Sequence, residues 1–139
     1  MHITTYITFP GQAEEAIEFY KKVLGAELIL LSRMGEGPMD IPPGMKDKIM
    51  HARVKIGETI LYFSDTFDNN KLLKGNNTSL ALAVDSPGKV DEIFTILSEG
   101  GEARMPPNDA FWGARFSMLV DKFGIHWMVS CELVKASGQ

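Results

Sequence analysis

A chain of 139 residues is long enough for one ordinary domain with a real core, and 45% hydrophobic with 23% charged residues is the composition of a soluble globular protein. Its 14 basic and 18 acidic residues leave a net charge of −4 without long single-sign runs, which disfavours nucleic acid and anionic membrane surfaces as partners. Apolar stretches fall far short of the roughly 18 residues a membrane span needs, no leader pattern opens the chain, and Cys131 as the only cysteine excludes an internal disulfide, so a cytoplasmic location is expected.

Taken in order, Ile3–Phe9 reads as a strand and Ala13–Leu24 as an amphipathic helix. In that helix Ala13, Ala16, Ile17, Tyr20, Val23 and Leu24 form one stripe, while Glu14, Glu15, Glu18, Lys21 and Lys22 form the other. Glutamates load its start, Glu18 and Lys22 are spaced as an ion pair, and Gly25 stops it. Three strands follow: Ala26–Arg33, Met50–Ile56 and Thr59–Asp65. Ser79–Asp85 then restarts the cycle, and Val90–Ser98 is a second helix. Ser86 is placed to cap it and Pro87 to open it, with Val90, Ile93, Phe94 and Leu97 as its buried stripe and Gly100-Gly101 as its stop. Glu102–Arg104, Arg115–Asp121 and Ile125–Leu133 are three more strands.

Tight turns are expected at Gly57-Glu58 and Lys122–Gly124. The segments Gly35–Lys48, Thr66–Thr78 and Met105–Ala114 read as long linkers, with a short helical turn inside Asn69–Gly75. The chain thus spells strand, helix, three strands, twice over. Four strands between the helices argue for two βαβββ modules, about 1–66 and 78–135, rather than one ferredoxin-like βαββαβ unit. The strands alternate, so each sheet has two chemically different faces. The more apolar rows, Leu80/Leu82/Val84 and Phe116/Met118/Val120, are expected under the helices.

Candidate polar residues carry two readings each. His51, in a row with Arg53 and Lys55, is either a base or ligand at a cleft rim or a hydrogen-bonded strand-end histidine. His126 shares a row with Met128 and Ser130 and either meets a ligand or ends a turn. Asp65 and Asp121 each close a strand beside a turn, where a carboxylate accepts backbone N–H bonds; acid–base work is the alternative. Trp112 anchors its loop or lines a cleft, and Arg115 nearby offers charge-assisted bonds to an anion. Trp127, Val129 and Cys131 form a core row, so the thiol reads as a small buried hydrophobe.

The paired layout, the stretch Ala16–Leu28 around Phe19-Tyr20 and the stretch Val120–Trp127 resemble the vicinal oxygen chelate (glyoxalase/bleomycin resistance/dioxygenase) superfamily. His51-Ala52, Ser64-Asp65, Phe111-Trp112-Gly113 and Asp121-Lys122-Phe123-Gly124 followed by Trp127 resemble its PhnB-like branch, often labelled demethylubiquinone methyltransferase-like. The resemblance implies an α+β fold of two βαβββ modules curling into a cup, a single glyoxalase-like domain over residues 1–139, and commonly a homodimer. In metal-using relatives four His, Gln or Glu residues hold a divalent ion. Here the positions that match are Thr5, Tyr62, Ser79 and Met128, which are poor ligands for such an ion. No metal and no cofactor is therefore expected, and electrophilic metal chemistry is not carried over. No glycine-rich strand-to-helix turn supports a methyltransferase cofactor either.

The expected pocket lining is Thr5, Ile7, Phe9, Tyr62, Ser64, Ser79, Ala81, Met128 and Ser130, with His51, Trp112, Arg115 and His126 as further ligand-binding candidates. No catalytic residue is assigned. Such a mix suits a small, partly hydrophobic organic molecule. Metal-free binding is favoured, and an enzyme of the same superfamily (lyase, dioxygenase or transferase-like, metal-free or with relocated ligands) is the alternative.

Overall fold

The computed structural model describes residues 1–133. The chain runs β1 (Tyr6–Phe9), α1 (Ala13–Leu24), β2 (Glu27–Arg33), β3 (Ile49–Ile56), β4 (Thr59–Asp65), β5 (Leu80–Ala83), α2 (Pro87–Leu97), β6 (Glu102–Ala110), β7 (Ala114–Val120) and β8 (His126–Glu132). Short 3-10 turns lie at Met34–Glu36 and Asn69–Lys71, the second within the segment expected to hold one. Residues 134 and 135, the end of the expected second module, lie outside the described residues.

The strands form two four-stranded sheets of identical order, β1-β4-β3-β2 and β5-β8-β7-β6. In each, the strand before the helix pairs in parallel with the last strand of its module, and the other neighbours are antiparallel. The α+β architecture of two βαβββ modules follows directly. Chain contacts divide it into two compact units, Met1–Leu73 and the residues from Lys74 onward.

In the first unit α1 lays Ala13, Ala16, Ile17 and Tyr20 against β3 and β4, where Ala52, Val54, Leu61 and Phe63 complete the core. Gly25 ends the helix at φ 66°, a conformation a side chain would resist. Glu18 pairs one residue earlier than its spacing suggested, with Lys21 at 3.0 Å. The start of α1 lacks a local cap, since Gln12 makes no side-chain capping bond. Asp65, at the end of β4, supplies it instead: Oδ1 accepts Ala13 N–H at 2.8 Å and Oδ2 accepts Ile49 N–H at 2.9 Å.

The second unit repeats the plan with different fastenings. Ser86 Oγ accepts Lys89 N–H at 3.3 Å and Pro87 opens α2, as the sequence predicts. Val90, Phe94 and Leu97 are buried on the helix side, facing β6, β7 and β8. Asp121 is 2% exposed and braces the β7–β8 turn: Oδ1 accepts Phe123 N–H at 2.9 Å and Ile125 N–H at 3.1 Å, and Oδ2 accepts Trp127 Nε1–H at 2.9 Å.

Two expectations about the strands need correction. Met105–Ala114 is mostly not a linker, because β6 runs on to Ala110 through Pro106 and Pro107. An edge strand tolerates prolines, since the missing N–H groups need not face a ladder partner. Pairing with β7 skips there, between Met105 and Asn108, and Asn108 Nδ2 patches the gap by donating to Phe116 O at 3.2 Å and to Pro106 O at 3.0 Å. The second correction concerns β7. Ser117 and Leu119, not Phe116, Met118 and Val120, are its buried row. The short turn sets Val120 opposite His126 and Leu119 opposite Trp127, so the core row of β8 recruits Leu119 and Ser117. Ser117 meets the cost of burial by donating its hydroxyl to Val129 O at 2.9 Å.

Candidate functional site

The helix-free face of the first sheet carries a cluster of polar aromatic and basic groups. In β1, Tyr6 stands beside Tyr62 of β4, and in β3, Arg53 stands opposite Tyr62. Their rows alternate with the buried row of Ala52, Val54, Leu61 and Phe63, so Tyr6, His51, Arg53, Tyr62 and Ser64 share the face turned away from α1. Tyr6 Oη lies 2.7 Å from His51 Nδ1, and Arg53 Nε–H donates to His51 Nε2 at 3.3 Å. The rings of His51 and Tyr62 meet edge to face at 4.9 Å, those of Tyr6 and Tyr62 at 5.6 Å, and the Arg53 guanidinium sits 5.0 Å from the Tyr62 ring centre.

This geometry fixes the proton on the imidazole. A guanidinium N–H only donates, so His51 Nε2 must accept, and the neutral ring then carries its proton on Nδ1. Nδ1–H donates to Tyr6 Oη, which leaves the Tyr6 hydroxyl proton free to point elsewhere. Burial, and then the Arg53 charge, push the His51 pKa below the ordinary value of 6.5. We expect a proton-detected pH titration of His51 to give a midpoint under 6.5, rising towards that value in Arg53→Gln. A midpoint at or above 6.5 in the parent protein would contradict the arrangement. The linkage has a definite sign: a base whose folded pKa is depressed contributes stability above its unfolded pKa of about 6.5, and that contribution is lost as pH falls through the lower folded value.

The same register displaces three of the expected lining residues. Ile7 stands beside Phe63, and Phe9 beside Asp65, so both belong to the helix-facing row; Phe9 is fully buried. Thr5, which precedes β1, falls in step with Ile7 rather than with Tyr62. Tyr6 and Thr8 are the β1 residues in step with Tyr62 and Ser64. The apolar alternation Ile7/Phe9 against the polar Tyr6/Thr8 was the available signal for this row.

In the second unit the face away from α2 brings Ala81, Met128 and Ser130 together with Phe116, Met118 and Val120, and His126 lies opposite Val120. Ser79 precedes β5 in step with Ala81. Trp112, 57% exposed at the β6–β7 turn, leans edge-on against Phe116 at 5.4 Å, and Phe111 packs on Trp112 at 5.2 Å. Arg115 departs from its expected role. It points to the helix side, where Nε and Nη2 grip Asp91 of α2 at 2.7 and 3.0 Å and Nη1 binds Asp109 at 2.9 Å. Two carboxylates already satisfy its fork, and they raise its pKa while holding Asp91 low.

Asp65 and Asp121 both act as braces, with every contact above directed at backbone or indole N–H donors. Cys131 and Trp127 are buried in the core row.

A divalent ion of the kind the fold implies finds no fit in these residues. Among the described residues no three His, Cys, Asp or Glu side chains converge as ligands. Of the positions that match the family's quartet, Thr5 lies out of step with Tyr62, and none is a strong donor. Nor is any helix among the described residues long and apolar enough to cross a membrane.

Against known families, the Glyoxalase/Bleomycin resistance protein/Dioxygenase superfamily matches residues 2–129. The chain belongs to that superfamily. Protein YjdN of Escherichia coli (strain K12) is 31% identical over 143 residues, covering 94% of this chain and 95% of its own. Protein PA1353 from Pseudomonas aeruginosa is 38% identical, with a TM-score of 0.83 over 95% of this chain and 98% of that one. A PhnB protein from Bacillus cereus is 26% identical with a TM-score of 0.81 over 94% of this chain and 99% of that one. The solved structures that this glyoxalase-superfamily chain resembles thus include a PhnB protein.

Proposed function

We propose that this PhnB-like chain binds a small, partly apolar organic molecule through the helix-free faces of its sheets, without a metal ion. The cluster of Tyr6, His51, Arg53 and Tyr62 carries this reading: aromatic walls, oriented polar groups and a cation sit together on a face that the helix does not cover. Ser64 extends that surface, and the proposal adds Ser79, Trp112, Phe116, His126 and Met128 of the second unit as a further binding face. A homodimer in the cytoplasm is part of the proposal. The exposed edge strand β2, where Leu28 and Ile29 are 36% and 51% exposed, supports the homodimer.

A thermal-shift screen of small metabolites and antibiotics tests the reading, with a saturable rise in Tm as the expected result. No stabilising compound in a broad screen would count against it. Elemental analysis of native protein is expected to show no stoichiometric divalent ion, and EDTA is expected to leave Tm unchanged. A tightly held ion would overturn the metal-free reading.

Catalysis is the second reading, and one observation favours it. His51 is held neutral beside a tyrosine whose proton is free, an arrangement suited to moving a proton at a bound oxygen. Chemical conversion of a screening hit, lost in Tyr6→Phe, would make the protein an enzyme.

A further inference from the structure

The described arginines are not alike. Arg33 pairs with Glu14 at 2.7 Å, Arg104 with Glu102 at 3.4 Å, and Arg115 with Asp91 and Asp109. Arg53 makes no ion pair among the described residues, and its only hydrogen bond there is from Nε to His51. That bond, with the Tyr62 ring against the guanidinium, orients the fork while leaving both terminal NH2 groups available. The Tyr6 hydroxyl proton, released by the donation from His51 Nδ1, is a further donor on the same imidazole. Leu30 pairs with Arg53 across the strands and is 40% exposed, while Ile60, two residues before Tyr62, is 41% exposed. Lys55 continues the basic row. Among the described residues no carboxylate pairs with Arg53 or hydrogen-bonds to Tyr6 or His51.

We propose that Arg53 and Tyr6, held in place by His51, bind the anionic oxygen of an aromatic or similarly flat carboxylate, with Tyr62 and the flanking Leu30 and Ile60 taking its apolar body. Two properties set this apart from an idle surface arginine. The guanidinium is held by an uncharged partner, which fixes its direction without neutralising its charge. The donors surround an aromatic ring rather than open polar surface. His51 is here a positioning residue: it presents no donor of its own to the ligand.

This inference rests on the binding reading above, and the test separates the two. Benzoate and its uncharged isostere benzamide are titrated by NMR against the full chain, following the backbone amides of β1, β3 and β4 and the Arg53 side-chain signal. Benzoate is expected to give saturable shifts centred on Arg53 and Tyr6, at least tenfold tighter than benzamide. Arg53→Gln and Tyr6→Phe are each expected to weaken benzoate about tenfold and to leave benzamide unchanged, while Arg104→Gln alters neither. Each of these side chains is exposed, and a matched thermal melt confirms that the variants are folded. His51→Gln is expected to weaken benzoate, and raising the pH from 5 to 8 to strengthen it in the parent but not in that variant. Equal binding of benzoate and benzamide on this face, unaffected by Arg53→Gln, would overturn the carboxylate assignment and leave the binding reading standing. No saturable shift from either compound on this face would overturn the site itself.

Discussion

Replacing Asp121 with alanine is expected to destabilise the protein by roughly 3–5 kcal/mol, because three donors lose their acceptor at once and each buried unsatisfied donor costs about 1–3 kcal/mol. The donors are Phe123 N–H, Ile125 N–H and Trp127 Nε1–H, and Phe123 and Trp127 are only 1% and 3% exposed, so water cannot readily substitute. Asparagine offers a sharper probe. Its oxygen still serves Phe123 and Ile125, but its NH2 group then faces the indole N–H, donor against donor. Asp121→Asn should therefore be destabilising in the parent and nearly silent in a Trp127→Phe background. Urea denaturation of the four proteins in this cycle measures the coupling. Additive effects, or an Asp121→Ala loss below about 1 kcal/mol, would show that the carboxylate does not hold the turn.

Gly101→Ala is the second large expectation, at about 3 kcal/mol, the upper end for forcing extra volume into a packed site. A Cβ at this position would collide with the backbone carbonyl oxygen of Val120 and lie 2.7 Å from the Asp121 carbonyl carbon. Both obstacles are main chain at the end of β7, so relief requires moving a strand. Its neighbour supplies the control. Gly100 has φ 75°, but a Cβ there meets only the flexible Lys122 side chain, at 3.3 Å. Gly100→Ala should cost nearer 1–2 kcal/mol, the ordinary penalty of a left-handed residue. Thermal melts distinguish the two, with a drop of roughly 10 °C for Gly101→Ala. Equal losses at the two positions would contradict the close approach.

Much of the fold could be read from patterns that local physics enforces. The helix stripes, the Ser86-Pro87 start of α2, the Gly25 stop and the tight turns at Gly57 and Gly124 are short-range signals, and the structure carries all of them. The family resemblance rests on residues that do the same kind of work: Asp65 and Asp121 are braces, not acids in waiting. The errors came where facing had to be chosen. Phe116, Met118 and Val120 outweigh Arg115, Ser117 and Leu119 in apolarity, yet the richer row lies away from the helix. The turn decided the matter, because pairing Asp121 with Ile125 puts Val120 opposite His126 and ties Phe116 to the Ser130 row. That geometry was available from the three-residue turn once Trp127, Val129 and Cys131 were assigned to the core.

The candidate site was less legible. His51 stood out with Arg53 in the sequence, but Tyr6 did not. Its partner lies 45 residues away, and only the parallel pairing of β1 with β4 and the β3–β4 hairpin bring them together. Anchoring β1 on Thr5, the position of a metal ligand in relatives, favoured the wrong row. Arg115 failed as a ligand candidate for a similar reason: its two carboxylate partners come from α2 and β6, and nothing in the spacing announces them.

The borrowed cap on α1 gives the two modules different histories on the way to the folded state. Ser86 and Lys89 are three residues apart, so α2 can secure its first turn as soon as that segment is made. Ala13 waits for Asp65, 52 residues downstream, and until β4 arrives its N–H has only water. Closing so long a loop is a slow, entropically costly event compared with a local cap. Modules alike in outline are thus unlike in timing: α2 can precede its sheet, whereas α1 is completed by its own.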